Sequence, residues 1–320
     1  MTDVLVTENI TGTAMDRLRQ ERDVAIEPDL WRSPEKLKER IRDVAALMVR
    51  NQTQVTSELI ASAPRLKVIA RAGAGLDNID TRAANDAGVV VCYSPHENSV
   101  SVAELTIGLI LALARRIPAA DADTRAGGWK RQVFTGIELC GKTLGVVGLG
   151  TIGTLVAQRA RALDMAVLAH DDYVDSTSAQ VRTLGAKLVS LDQLLSEADC
   201  VVCHVPLTEE TRGMFDAARF QRMKPTAMFV NTSRGEVVDE AALVEALQQK
   251  RIAGAALDVR SVEPPGRGPL NELDNVILTP HIAAFTHEAQ DRVVATVCRD
   301  VAAVLAGGEA TNVFNLSAPQ

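Results

Sequence analysis

With 320 residues, 47% of them hydrophobic and 23% charged, the chain can bury a large core, and its length suits about two domains. A formal net charge of −7 argues against a surface built for nucleic acid or for an acidic membrane, and leaves room for a local basic pocket around a small anion. No charged segment followed by an apolar one opens the sequence, and the longest apolar run, LTIGLILALA at 105–114, is too short to span a bilayer. A cytoplasmic protein is expected.

In chain order, residues 3–7 (DVLVT), 44–49 (VAALMV), 67–70 (KVIA) and 89–92 (VVVC) are short β-rich runs, with helix-like segments such as 13–20 and 34–42 between them. The alternation predicts a parallel α/β domain. Residues 100–117 then read as one long helix, too apolar to face solvent, which places it between domains or between subunits.

Next, Gly148, Gly150 and Gly153 of LGVVGLGTIG follow the apolar run KTLGVV and precede the helix-like stretch TLVAQRARAL; Asp171 follows after the strand-like MAVLAH. A dinucleotide needs this order. Glycine lets the backbone turn sharply and approach a pyrophosphate, the helix start offers unpaired N–H groups, and the acid accepts from the adenosine ribose hydroxyls. The same carboxylate repels the extra phosphate of NADP, so NAD is the expected cofactor; Asp172 is the alternative ribose ligand. Further strands are predicted at 165–169, 187–190, 200–205, 227–231, 253–258 and 275–279, giving a doubly wound sheet of about six strands. A last helix over roughly 287–306 should pack back on the N-terminal domain, and an unstructured tail is expected only for about the last five residues.

Cys92, Cys140, Cys200, Cys203 and Cys298 are scattered and odd in number, as in a protein with reduced thiols. Cys200 and Cys203 form CxxC, but inside DCVVCHVP, which reads as a buried strand. No second cysteine pair or HExxH motif is present, so no metal is expected.

Three polar residues stand where apolar strands end: Arg234 in FVNTSRG, Glu263 in ALDVRSVEPP and His281 in ILTPHIAA. The carboxyl ends of an open parallel sheet form its ligand crevice, so all three can converge beside a nicotinamide. Arg234 suits a carboxylate clamp, His281 an acid/base for a hydroxyl proton, and Glu263 a partner that fixes the imidazole tautomer. Singly, each has an ordinary alternative as an ion pair, a loop cap or a structural histidine.

Together with VRNQTQVT, RAGAGLDNID, NSVSVAE, GKTLGVVGLGTIG, CHVPLTEETRGM, VNTSRGEVVDEAAL, AALDV and TPHIAAFT, these residues make the chain resemble the NAD-dependent D-isomer-specific 2-hydroxyacid dehydrogenases, in particular their D-3-phosphoglycerate dehydrogenase-like branch. The resemblance implies a Rossmann NAD-binding domain, 99–288, inserted into a flavodoxin-like substrate domain, 1–98 plus 289–320. It implies that Thr151 and Ile152 face the pyrophosphate and Asp258 the nicotinamide amide. It also implies that His204, Val205, Pro206, Thr232, Ser233, Ala283 and Ala284 line the cofactor. The substrate carboxylate would meet the N–H groups of Ala74 and Gly75 as well as Arg234, with Asn98 at the interdomain hinge. A homodimer through the long helix and an arm containing Trp129 is implied, with a small 2-hydroxy or 2-oxo acid as the other partner.

Ala74 stands where many phosphoglycerate enzymes carry threonine, and Glu97 where glycine is common, so the substrate pocket is expected to differ. The sequence also stops without the C-terminal regulatory domain of many such enzymes, so serine feedback through such a domain is not expected. Arg50, and Lys130 or Arg131 beside Trp129, are the candidate cations for a distal phosphate or sulfonate; solvated surface cations are the alternative. Phosphoglycerate, sulfolactate and glyoxylate or hydroxypyruvate stay open as substrate classes. A non-catalytic NAD-sensing protein, as among the family's corepressors, is the reading from another class.

Overall fold

The structure, a computed structural model, describes residues 2–314, except for the side chains of residues 179 and 180. The tail expected at the C-terminus lies outside the described residues. The chain forms two compact units, one running to Asn98 and resuming at Phe285, the other Ser99–Ala284.

In the first unit, β1 (Val4–Val6), β2 (Val24–Ile26), β3 (Ala46–Val49), β4 (Val68–Arg71) and β5 (Val90–Tyr93) pair in parallel in the order β2-β1-β3-β4-β5. β1 and β3 are apolar and buried on both faces because helices cover both. Met15 and Leu18 of helix Thr13–Glu21 pack one face together with Val293, Val294 and Val297 of helix His287–Leu305; Leu37, Leu59, Ile60 and Ala84 pack the other. The sequence pattern misses β2, whose three half-buried residues form one edge of the sheet.

The second unit holds β6 (Thr143–Val147), β7 (Ala166–His170), β8 (Lys187–Leu188), β9 (Cys200–Cys203), β10 (Met228–Asn231), β11 (Gly254–Leu257) and β12 (Val276–Leu278). All pair in parallel in the order β12-β11-β10-β9-β6-β7-β8; each of the six runs expected after the glycine turn forms a strand, and the apolar run before it, β6, makes seven rather than about six. The strand order reverses between β6 and β9, which opens a crevice at their carboxyl ends.

The single helix expected over 100–117 is two, Ser99–Ala114 and Ile117–Arg125, joined through Arg116 at φ 52°. Pro118 is the cause: it has no N–H, and its ring would clash with the carbonyl of Ala114, four residues earlier. That carbonyl accepts instead from Ile137 N–H at 2.9 Å.

Candidate functional site

The glycines sit at the reversal. Gly148, at φ 92°, leaves β6, and a Cβ on it would lie 2.8 Å from the carbonyl carbon of His204 at the end of β9. A Cβ on Gly153 would lie 2.1 Å from the carbonyl oxygen of Gly148, so only glycine lets helix Thr151–Ala162 start this close to the strand. A Cβ on Gly150 would meet no atom within 4 Å, and no side chain caps the helix at that residue. The helix start therefore faces open space with its first N–H groups lacking intrahelical partners, the arrangement that receives a pyrophosphate.

Asp171, just past β7, accepts from Leu149 N–H at 2.7 Å and from Tyr173 N–H at 2.9 Å, which fixes its carboxylate against the glycine turn. Asp172 points to solvent with its side chain 77% exposed, 3.8 Å from His170. Both ring nitrogens of His204 are buried with no hydrogen-bond partner among the described residues, and this burial pushes its pKa down to about 4. His204 is thus a neutral wall beside the turn rather than a charged ligand.

At the ends of β10, β11 and β12 the three polar residues come together. Arg234 follows a turn held by the buried Asn231, whose Nδ2 donates to Arg234 O at 2.8 Å and whose Oδ1 accepts from Ser233 N–H and Oγ–H. His281 adopts φ 56° and donates its N–H to Asp258 O at 2.8 Å. Its Nδ1 lies 2.6 Å from Glu263 Oε2, so Glu263 engages one ring nitrogen and leaves Nε2 for a substrate. Burial alone would raise the Glu263 carboxyl. The hydrogen bond and charge of His281, Arg260 N–H and the nearby Arg234 outweigh it and hold the group below its ordinary range.

Residues 107–283 match the family model of the D-isomer specific 2-hydroxyacid dehydrogenase, NAD binding domain. The chain belongs to this family. It is 45% identical over 314 residues to a D-3-phosphoglycerate dehydrogenase of Archaeoglobus fulgidus, covering 98% of this chain and 59% of that protein. The TT0316 protein of Thermus thermophilus matches with a TM-score of 0.92 at 36% identity, over 98% of this chain and 100% of the other. A D-lactate dehydrogenase of Aquifex aeolicus, solved with NAD and lactic acid, matches at 0.85 and 30% identity, over 95% and 96%. The chain spans 48% to 60% of the length of the curated D-3-phosphoglycerate dehydrogenases it matches.

In this member of the family the remaining expected residues have varied settings. Both carboxylate oxygens of buried Asp258 are engaged by its own loop, accepting from Thr279 Oγ1 and from the N–H groups of Ile282 and Ala283, so the carboxylate shapes the turn that carries His281. Thr232 is buried and shares a 2.9 Å hydrogen bond with Thr106, and Ser233 Oγ lies 3.4 Å from Cys203 Sγ. Val205 is half-buried and Pro206 exposed after β9, and Ala284 ends the second unit. Ala74 and Gly75 follow β4 in the first unit, both half-buried. Asn98 is buried, with no partner for its side-chain oxygen among the described residues. Glu97 turns its carboxylate to Thr296 Oγ1 at 3.0 Å.

Arg50 is half-buried. Its Nε donates to Asn9 O at 2.8 Å, a terminal nitrogen bonds Gln290, and the guanidinium lies 5.6 Å from the Phe285 ring centroid. Arg131 is exposed in the second unit, beside Trp129 and Lys130. Cys200 and Cys203 are fully buried in β9, their thiols pushed up by burial, Cys200 to about 12, which suits packing rather than redox chemistry. Among the described residues no group of acids, histidines and cysteines is placed to hold a metal.

Two residues escaped the sequence reading. Arg71 ends β4 with its guanidinium folded over Gly73, two residues before Gly75. Its strand-end position is the signal that picked out Arg234. Asn231 organises the Arg234 turn, and nothing in its local sequence marks it.

Proposed function

We propose that this chain catalyses NAD-dependent hydride transfer between a small 2-hydroxy acid and the corresponding 2-oxo acid. The observation that carries the proposal is the 2.6 Å contact of His281 and Glu263, with Arg234 close enough to act on Glu263, at the carboxyl ends of the strands beside the glycine turn. The family match supports the same reading. The open helix start, the close-packed Gly148 and Gly153 and the carboxylate of Asp171 fit a dinucleotide, and Asp171 favours NAD over NADP.

When bound, NAD supplies the hydride acceptor. Arg234 presents donors to the substrate carboxylate and orients the carbinol carbon. His281 Nε2 takes the hydroxyl proton during oxidation and returns it in reduction, while Glu263 stabilises the imidazolium that forms. The 1–98 and 289–320 segments serve as the substrate domain and 99–288 as the NAD domain. Ala74 and Gly75 supply backbone donors.

A distal phosphate or sulfonate on the substrate is supported by Arg50 and Arg71 at adjacent strand ends of the first unit, and by the exposed Arg131. Exposed Ile117, Trp129, Val133 and Ile137 support a homodimer through this arm. Free cysteines and the lack, among the described residues, of a helix long and apolar enough to cross a membrane are compatible with a cytoplasmic enzyme.

The test is NADH oxidation against 2-oxo acids with and without a distal phosphate or sulfonate, glyoxylate and hydroxypyruvate included. Turnover that prefers the dianion supports the full proposal. Preference for the small acids moves the reading to a glyoxylate or hydroxypyruvate reductase. NADH binding with no turnover on any acid leaves a non-catalytic NAD sensor.

A further inference from the structure

Arg260 joins the two loops that carry Arg234 and Glu263. A Cβ on Gly235 would lie 1.9 Å from the carbonyl carbon of Arg260, so the two backbones touch only because residue 235 has no side chain. Arg260 N–H donates to Glu263 Oε1 at 3.0 Å. Its guanidinium makes a two-pronged pair with Glu240, Nε to Oε1 at 3.2 Å and a terminal nitrogen to Oε2 at 2.8 Å, and Ser261 N–H donates to the same carboxylate at 2.7 Å. The side chains of Arg260 and Glu240 are only 12% and 22% exposed. A shielded, two-pronged ion pair has one geometry, so it sets where the Arg260 backbone lies.

We propose that the Glu240–Arg260 pair is a positioning device for the reaction: it fixes the loop of Glu263 against the turn of Arg234, and so sets the Glu263–His281 contact. The inference rests on the proposed roles of His281 and Glu263. The charged groups around that contact are Arg234, Arg260, Glu240 and Asp258, whose carbonyl accepts His281 N–H. Burial would raise the Glu240 carboxyl, but Arg260 and Ser261 outweigh it and hold the group low, so it stays ionised across the working range.

The experiment is the pH profile of kcat/KM for Arg260→Met, with NADH affinity measured separately by fluorescence titration. A displacement of the Glu263 loop weakens support for the imidazolium. The profile's midpoint should move toward acid, and kcat/KM should fall about 10- to 100-fold, as misplacement near 1 Å does; NADH affinity should stay within about twofold, since Arg260 follows β11, three strands along the sheet from β6, which leads into the glycine turn. Should Arg260→Met not fold, the near-isosteric Glu240→Gln decides the matter, with a smaller shift in the same direction. A native-like profile and kcat/KM, with only the melting temperature lowered, overturns the inference and leaves a structural ion pair. Failure of the underlying reading is distinct: His281→Ala would then keep its activity.

Discussion

Replacing Glu263 by Gln probes the heart of the site, because it removes a charge and leaves a side chain of nearly the same shape. Two unit charges about 4 Å apart interact by about 1 kcal/mol in bulk water and about 4 kcal/mol near a protein surface. The His281 and Glu263 side chains are 33% and 28% exposed, between these limits and toward the wetter one. We take the loss as about 1–2 kcal/mol, which displaces the midpoint of the pH–rate profile toward acid by about 0.7 to 1.5 pH units. Reduction of a 2-oxo acid by NADH, followed by absorbance from pH 5 to 9, reads this directly.

A second readout checks the sign. The Glu263 carboxyl is held below its ordinary range. It therefore contributes stability above its unfolded value, near 4.3, and loses it as pH falls through the folded value. Native protein should out-melt Glu263→Gln at pH 7, and the gap should close in acid. An unmoved midpoint with an unchanged melting gap would refute the pairing of Glu263 with His281.

Asp171→Ala should cut the preference for NAD over NADP by about tenfold or more, read as the ratio of kcat/KM values, since it removes both the ribose acceptor and the repelling charge; an unchanged ratio would transfer the role to Asp172. Gly153→Ala places a carbon 2.1 Å from Gly148 O, so the turn must shift, and NADH affinity should fall about tenfold or more. Arg50→Ala should raise KM for a dianionic acid by about tenfold while glycerate oxidation changes little. Equal losses on both substrates would make Arg50 a structural residue held by Asn9 and Gln290.

The parts of the fold readable from sequence were those with strong local causes. β1, β3, β4, β9 and β10 are buried, largely apolar runs because both sheet faces are covered. β2 lacks that signal: its three residues form a half-buried sheet edge. The break at Arg116 was present as Pro118, but the apolar run around it suggested one helix. The same division runs through the site. Gly148, Gly150, Gly153, Asp171, Arg234, Glu263 and His281 stand at ends of regular elements, where spacing and chemistry point to a role. Asn231, Glu240 and Arg260 act through contacts between segments far apart in sequence, and Arg71 shows its relation to Gly73 only once the loop is folded.

The most direct measurement of the central claim follows the hydride itself. With NADH deuterated at the transferring position and the 2-oxo acid that turns over best, one deuterium should appear on carbon 2 of the product by mass spectrometry. His281→Ala should bind NADH as the native protein does yet transfer label about 10²- to 10⁴-fold more slowly. Native protein that binds NADH but transfers no label to any 2-oxo acid, or a His281→Ala variant that transfers it at the native rate, would contradict the account.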